Sequence, residues 1–520
     1  INLQHLPGGT LLAVGAGIVS AILLAAFFGY FVFYGQVSSW IIPVLTLVLT
    51  LALETFMGQT AGYQWKVGEA LLGGYNGMTQ IPSITIGSLT FMSGAHSLYY
   101  LIICFALFLY LAMRMLLNSK WGSIIVAIRE DEQRTRTVGH NVNLIQVLVF
   151  VTAGALAGTS GILYVSWGNY IDPSTMGLIS ATMPVVWVCV GGRQSVLAVL
   201  MSTVLLGYLA DLLSVYGGQY AFLVSGALLL VVMLFFPQGI FLSIARAFEA
   251  GKRKKEKTAG TAVYEKKAVQ LSDSLSAPQA RHNSKDIILE TRNLTKSFGG
   301  IEAVSELGFT MNTGELRCLI GPNGAGKSTF FNLLTGIYLP DQGDIYFQNK
   351  SITRLSPYQR IRLGLSLKFQ TTRTYQNLTV KENLQIPYHP SHETSVQEEI
   401  LPWALESFGL VSVFDQKVKH LSHAQQQWLE ICLALTTRPQ LLLLDEPTTG
   451  MTPEETSHTA SFVTMLNNSG TSILVVEHDM AFVRQIAKQV TVLHRGRIFA
   501  EGGLSEIEAN AEVRRIYLGE

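Results

Sequence analysis

The sequence predicts an α-helical transmembrane domain followed by an α/β P-loop domain, and three observations predict it. Up to about Ala245 the charges are sparse and long apolar stretches recur. From Gly321 to Thr329 the chain reads GPNGAGKST. Farther on, two short apolar runs end in acidic text, LLLLDEP from Leu441 to Pro447 and VVEHD from Val475 to Asp479. With 520 residues, 49% of them hydrophobic, and a mean hydropathy of +0.33, the chain departs from ordinary soluble composition.

The apolar stretches are Leu11–Phe33, Trp40–Met57, Tyr99–Leu117, Val147–Trp167, Val196–Val215 and Tyr220–Phe236. Most approach the ~20 residues that cross a bilayer core as a helix. Met183–Gly191 reads either as a seventh span with part of its flank or as a buried broken segment, so the expectation is six or seven spans. Lys and Arg concentrate on the cytoplasmic side of short loops. That places the Lys120–Arg136 segment and the run GKRKKEK, Gly251–Lys257, on the cytoplasmic face. The expected division is 1–247 membrane domain, 248–285 basic flexible linker and 286–520 nucleotide-binding domain. A net charge of +1 gives no basic field, so no nucleic-acid partner is expected. Cys104, Cys189, Cys318 and Cys432 lie far apart in apolar runs and read as buried free thiols.

In the second half, strand-like text at DIILETRNLTKSF and Leu316–Ile320 precedes the Gly-rich loop, and a helical segment, Lys327–Leu334, follows it. Strand, loop and helix are the context a phosphate-binding loop requires. Its residues Gly321, Pro322, Asn323, Gly324, Ala325, Gly326, Lys327, Ser328 and Thr329 let backbone N–H groups wrap an anion at a helix N-terminus. Lys327 reaches the outer phosphates and Ser328 holds Mg2+. Asp445 and Glu446 emerge at the C-terminal edge of a buried parallel strand, where open α/β sheets place ligands. Asp445 suits a metal and Glu446 suits orienting or deprotonating water. His478, at the end of another such strand, is a candidate γ-phosphate contact. The cofactors expected are ATP and Mg2+.

These residues carry a resemblance. LSHAQ, Leu421–Gln425, stands where the LSGGQ signature of ABC transporter ATPases stands, and Gln370 in LKFQTTRTYQNLTVKENL resembles their Q-loop glutamine. The resemblance implies that Phe298 stacks on adenine, that Gln370 senses metal and the membrane domain, and that Gly450–Pro453 form the D-loop. Two such domains close head to tail, so Ser422 and Gln425 would complete a partner's ATP site. The signature carries His423 and Ala424 in place of two glycines. Were their amides to need a positive φ, the Cβ of Ala424 would cost on the order of 1 kcal/mol.

The membrane half resembles permeases of the ABC importers for hydrophobic amino acids and amides, through GGYNGMTQIP, Gly73–Pro82, and WGSIIVAIREDEQRTRTVGHNV, Trp121–Val142. By that likeness a coupling helix around Ala127–Glu132 docks in the ATPase near Gln370. The text LSHAQQQWLEI, GMTPEET and YLGE is most similar to the urea-type ATPase, with the branched-chain amino acid type as runner-up. Asn76, Thr79 and Gln80 are candidates for a neutral solute path, although polar residues in a Gly-rich break more often serve the local backbone. Asp172, Arg193 and Asp211 read as loop or helix-end residues. The family implies a periplasmic or extracellular solute-binding protein, a second permease and a second ATPase, in a bacterial inner membrane with the ATPase cytoplasmic. Additional early spans of such permeases are not found and the chain starts at Ile1, so a fragment or a shortened permease is expected. Rival readings are a membrane-anchored ABC ATPase that transports nothing, and an exporter.

Overall fold

The computed structural model describes residues 9–67, 70–79, 81–86, 89–192, 195–216, 286–388 and 395–518, with a few positions between 226 and 243. The chain divides into two compact units. One comprises Ile1–Met115 with Asn143–Lys267, and the other Leu116–Val142 with Ala268–Glu520.

Among the described residues three helices are long and apolar enough to cross a bilayer: Gly9–Tyr34, His96–Leu117 and Val142–Gly168. A helix satisfies its backbone hydrogen bonds internally, which is what a hydrocarbon environment demands. Leu178–Gly191 and Val196–Leu212 pass the same test only together, bent by 119°. Ile42–Gly58 is apolar but only 17 residues long. Helices stand at the expected stretches that fall within the described residues, and the Met183–Gly191 run falls on one arm of the bent pair; the spans among those residues are three, or four counting the bent pair, against an expectation of six or seven. The Tyr220–Phe236 stretch and the basic run Gly251–Lys257 lie largely or wholly outside the described residues.

Large side chains line the outer surfaces of these helices, Leu23, Phe27 and Phe108 among them, each about two-thirds exposed. In water such surfaces would aggregate, whereas lipid accepts them. Cys104 is exposed on the same kind of surface and Cys189 is half-buried, so only Cys318 and Cys432 meet the expectation of buried thiols. The first two lie on apolar helices whose outward faces are hydrophobic without being covered by protein. Small residues bring two spans together. A Cβ on Gly154 or Gly158 would fall 2.5 and 2.7 Å from the Cβ atoms of Ala25 and Ala21, the close approach that a small-x3-small spacing permits.

Around Gly73–Pro82 the chain makes a short turn, Gly74–Asn76, and a two-residue strand, Met78–Thr79, paired with Tyr170–Ile171. Asn76 and Thr79 are exposed there, and Gln80 lies outside the described residues. Asp172 accepts from the backbone N–H of Ser174 and caps a turn, as expected of a loop residue. Asp211 lies inside the Val196–Tyr216 helix rather than at its end.

The second unit is built on a six-stranded sheet in the spatial order Leu365–Lys368, Leu441–Asp445, Ser472–Val476, Leu316–Ile320, Gln489–His494 and Arg497–Gly502. Its first five strands run parallel. A four-stranded antiparallel sheet contains Ile287–Phe298 and Ile301–Asn312. Strand periodicity sends alternate residues to opposite faces. Leu442, Leu444, Ile473 and Val475 thus join a core with Leu429, Cys432, Phe462 and Val483. Leu441, Leu443, Leu474 and Val476 join another with Phe330, Phe331, Ile288 and Phe309. Covering both faces explains why these strands are apolar throughout instead of alternating.

Candidate functional site

The phosphate loop leaves the Leu316–Ile320 strand and enters the Lys327–Thr335 helix, as the sequence predicts. Gly326 caps that helix at φ +103°, and a Cβ there would stand 2.3 Å from the Ala303 carbonyl oxygen. Only glycine fits. The ammonium of Lys327 donates to the carbonyls of Gly321 at 2.6 Å and Pro322 at 3.0 Å, which folds it over the loop. Burial lowers its pKa, and the carboxylates of Glu446 and Asp445 oppose that shift.

Asp445 and Glu446 stand at the end of the neighbouring parallel strand plus one. Asp445 is buried, its Oδ1 has no hydrogen-bond partner among the described residues, and burial followed by the charge of Glu446 pushes its carboxyl up to about 7. A buried, unpaired carboxylate oxygen beside a phosphate loop suits a divalent cation, which would supply the missing charge. Glu446 occupies the left-handed region at φ +43°, uncommon for a residue with a side chain. Its N–H donates to the Val476 carbonyl at 2.9 Å, and its Oε2 accepts from the Thr449 hydroxyl at 3.1 Å. The Nδ1 of His478 lies 3.6 Å from Glu446 Oε1. Lys327, Asp445, Glu446 and His478 are therefore brought to one end of the sheet.

Phe298 ends its strand exposed, with the Tyr338 ring edge-on at 5.2 Å and the Lys296 ammonium 5.6 Å from its centroid. An exposed aromatic flanked by a cation offers a stacking face for a base. Gln370 follows the Leu365–Lys368 strand and is exposed. Ser422 and Gln425 form a reciprocal capping box at the start of the His423–Leu435 helix. His423 and Ala424 are the first two residues of that helix and neither has a positive φ. The strain considered for Ala424 on sequence grounds therefore does not arise, because these amides are presented by an ordinary helical turn. The imidazole of His423 instead lies against Gly450, 3.0 Å from where a Cβ would stand.

The Leu116–Val142 segment belongs to this second unit. The expected single helix around Ala127–Glu132 is two, Lys120–Glu130 and Glu132–Thr137. Asp131 breaks them by turning extended and accepting from the Arg134 N–H, as an N-cap aspartate does. Ala127 and Val138 pack with Tyr375, Leu378 and Ile386. Thr135 hydrogen-bonds the Tyr375 hydroxyl at 3.0 Å, Arg373 donates to Gln133 at 2.7 Å, and Arg362 donates to the Gly139 carbonyl at 3.0 Å. These partners flank Gln370 in sequence.

Three charged residues of this region were not singled out from the sequence: Lys368, Glu430 and Glu477, all buried. The available signal was a charge interrupting an apolar run, as in LSLKF, WLEIC and VVEHD. Glu477 accepts from the Thr448 hydroxyl at 2.5 Å and from the His478 N–H at 2.8 Å, which ties the text after Glu446 to the histidine strand.

His140 supplies a pH dependence. Its Nε2 lies 2.5 Å from the Ile386 carbonyl, and burial, reinforced by Arg362 and Lys120, lowers its pKa below 6.5 despite that contact. Folding thus favours the neutral ring. The contribution is present above pH 6.5 and is lost as pH falls through the folded value, by up to about 1.4 kcal/mol per pH unit. The melting temperature of the solubilised protein is expected to drop between pH 7 and 5.5, and His140→Gln to flatten that drop.

A P-loop, a paired carboxylate strand end and a histidine strand on one sheet define a nucleotide triphosphatase, here on a chain that also carries apolar spanning helices. Two family models match, "ABC transporter" over residues 304–449 and "Branched-chain amino acid transport system / permease component" over residues 2–233. Among curated relatives, the high-affinity branched-chain amino acid transport ATP-binding protein LivG of Salmonella typhimurium is 36% identical over 250 residues, 45% of this chain and 98% of that protein. BraF of Pseudomonas aeruginosa, of the same description, is 33% identical over 250 residues with the same coverage. A solved nucleotide-free ATP-binding cassette from an ABC transporter is 32% identical, covering 45% of this chain and all of that one, with a TM-score of 0.41. The chain belongs to the ABC transporter family. It is an ATP-hydrolysing membrane transporter of the importer kind, with permease and ATPase on one polypeptide.

Proposed function

We propose that this chain takes up urea or a short-chain amide, as one fused half of an importer completed by a second permease, a second ATPase and an external solute-binding protein. The observation that carries the coupling is the seat of Ala127 and Thr135 against Tyr375, in the stretch that begins at Gln370. In this reading ATP draws two ATPase domains together, and the docked segments rock the permeases between inward and outward access. ATP moves that equilibrium only by preferring the closed pair. The ATPase is cytoplasmic and the membrane is the bacterial inner membrane.

Within the site, Phe298 stacks on adenine while the amides of Gly321, Asn323, Gly324, Ala325, Gly326 and Thr329 cradle the phosphates and Pro322 shapes the loop. Lys327 pairs with the outer ones. Ser328, Gln370 and Asp445 would hold Mg2+, which when bound offsets charge on the phosphates. Glu446 takes the proton of the attacking water, and His478 contacts the γ-phosphate. Ser422 and Gln425 face the partner's nucleotide.

Urea is supported by the likeness of LSHAQQQWLEI and the C-terminal YLGE to urea-type ATPases. A second reading, branched-chain amino acids, is favoured by what the relatives' names say those proteins transport. Calorimetric titration of the cognate binding protein decides between them: heat with urea and acetamide and none with leucine is the expected result, and the reverse installs the second reading. Reconstitution with that binding protein is expected to give ATP-dependent uptake. An active ATPase without uptake would support a membrane-anchored ATPase that transports nothing.

A further inference from the structure

The buried lysine at the edge of the sheet has no role in the mechanism above, and its surroundings suggest one. Lys368 ends the Leu365–Lys368 strand, which is buried throughout and pairs in parallel register with Leu441–Leu444. Its ammonium donates to the carbonyl of Asp445 at 3.2 Å and to that of Glu446 at 3.0 Å. Glu446 is the residue in the left-handed region. A side chain is held there only when its surroundings over-determine the backbone. Two bonds do so: the Glu446 N–H to Val476 on one side and the Lys368 ammonium on its carbonyl on the other. Lys368 therefore fixes the peptide from which the Glu446 carboxylate projects.

The same lysine is bracketed by the docking segment. Arg134 is fully buried, its Nη1 donates to the Leu367 carbonyl at 3.3 Å, and its guanidinium lies 5.3 Å from the centroid of the Phe369 ring. One arginine thus touches the residues immediately before and after Lys368. Its Nη2 stands 3.9 Å from Oε1 of Glu430, a buried carboxylate on the signature helix that also accepts from the Arg373 N–H at 2.7 Å. Arg134 Nε and Nη2 and Glu430 Oε2 have no hydrogen-bond partner among the described residues. Buried charges left so poorly paired stabilise a fold weakly if at all. Stability is thus a poor reason for burying them.

We infer that Lys368 is a positioning residue for ATP hydrolysis, and that the seating of Arg134 against Leu367, Phe369 and Glu430 is transmitted through it to the backbone of Glu446. The route runs from the docking segment to the reacting end of the sheet without passing through the exposed side chain of Gln370. It rests on Glu446 being the group that activates water, which Glu446→Gln tests separately.

The test is steady-state ATP turnover by the full chain assembled with its partner subunits. Lys368→Met is expected to lower kcat about tenfold or more with KM for ATP within about twofold, because positioning acts in the transition state. Lys368→Arg is expected to recover most of that loss, since guanidinium donors reach the same carbonyls. The double variant Arg134→Met with Glu430→Gln removes both charges together. It is expected to melt within a few degrees of the parent and still lower kcat by a similar factor. Adding Lys368→Met to the double variant should cost little more, as residues acting along one route are non-additive. A parental kcat in Lys368→Met overturns the inference, as does a rise in KM that matches the fall in kcat, or fully multiplicative losses. Should Lys368→Met fail to assemble, the double variant decides alone: a kcat within twofold of the parent rejects the route.

Discussion

Lys327→Ala is expected to abolish measurable nucleotide binding at the site this chain's loop forms. In the structure the ammonium is drawn onto the Gly321 and Pro322 carbonyls and lies among the fields of Asp445 and Glu446. It is the cation that the phosphate loop itself contributes, and helix-terminal amides alone supply only partial charges. Truncating one partner of a desolvated charge pair costs about 2–5 kcal/mol. The middle of that range is a loss of roughly 100-fold or more in affinity. Equilibrium titration with a fluorescent ATP analogue measures it. A melting curve taken alongside separates this from collapse of the loop, whose glycine geometry at Gly326 the substitution leaves intact. Binding within about threefold of the parent would mean that the loop amides and the metal carry the phosphates without the lysine.

The catalytic end of the second unit was legible because its chemistry is written in contiguous text. A P-loop needs its glycines and lysine in one run, so Gly326 and Lys327 announce themselves. The strand ends at Asp445 and His478 follow from apolar runs too continuous for anything but a sheet covered on both faces. The signature was legible as text but not as geometry. Whether His423 and Ala424 sit at negative φ depends on the capping box that Ser422 closes with Gln425, and only the fold decides that. The buried charges escaped for a different reason. Lys368, Glu430 and Arg134 come from three distant segments, and nothing in LSLKF or WLEIC says that the charge points inward to partners as remote in sequence as Asp445 is from Lys368 or Arg134 from Glu430. The docking of the Leu116–Val142 segment was legible only through its resemblance to a coupling helix, not in its own pattern of charges. Its placement with the ATPase rests on Tyr375 and Arg373, which no local pattern marks.

Glu446→Gln is expected to separate binding from turnover. The substitution is isosteric, leaves the N–H bond to Val476 and the Lys368 bond to the Glu446 carbonyl untouched, and still offers an oxygen to the Thr449 hydroxyl. It removes one of the charges that push the Asp445 carboxyl up, so Asp445 becomes a readier anion and nucleotide affinity should hold or improve. What is lost, on the reading proposed above, is the base. Side-chain proton transfer contributes about 10²–10⁴-fold, so phosphate release per active site should fall by that order while ATP titrates as before. His478 is no substitute, because its Nδ1 already faces Glu446 and Glu477. In an assembly of two unlike ATPases a residual rate near half the parent would assign the other half of turnover to the partner's own strand-end carboxylate. An unchanged rate would move the whole of hydrolysis to that site and leave this chain's loop as a nucleotide-binding strut. The signature containing Ser422 and Gln425 decides between those outcomes, since on the reading proposed above it would face the partner's nucleotide. A Gln425 substitution that slows turnover where Glu446→Gln does not would place the working site across the interface.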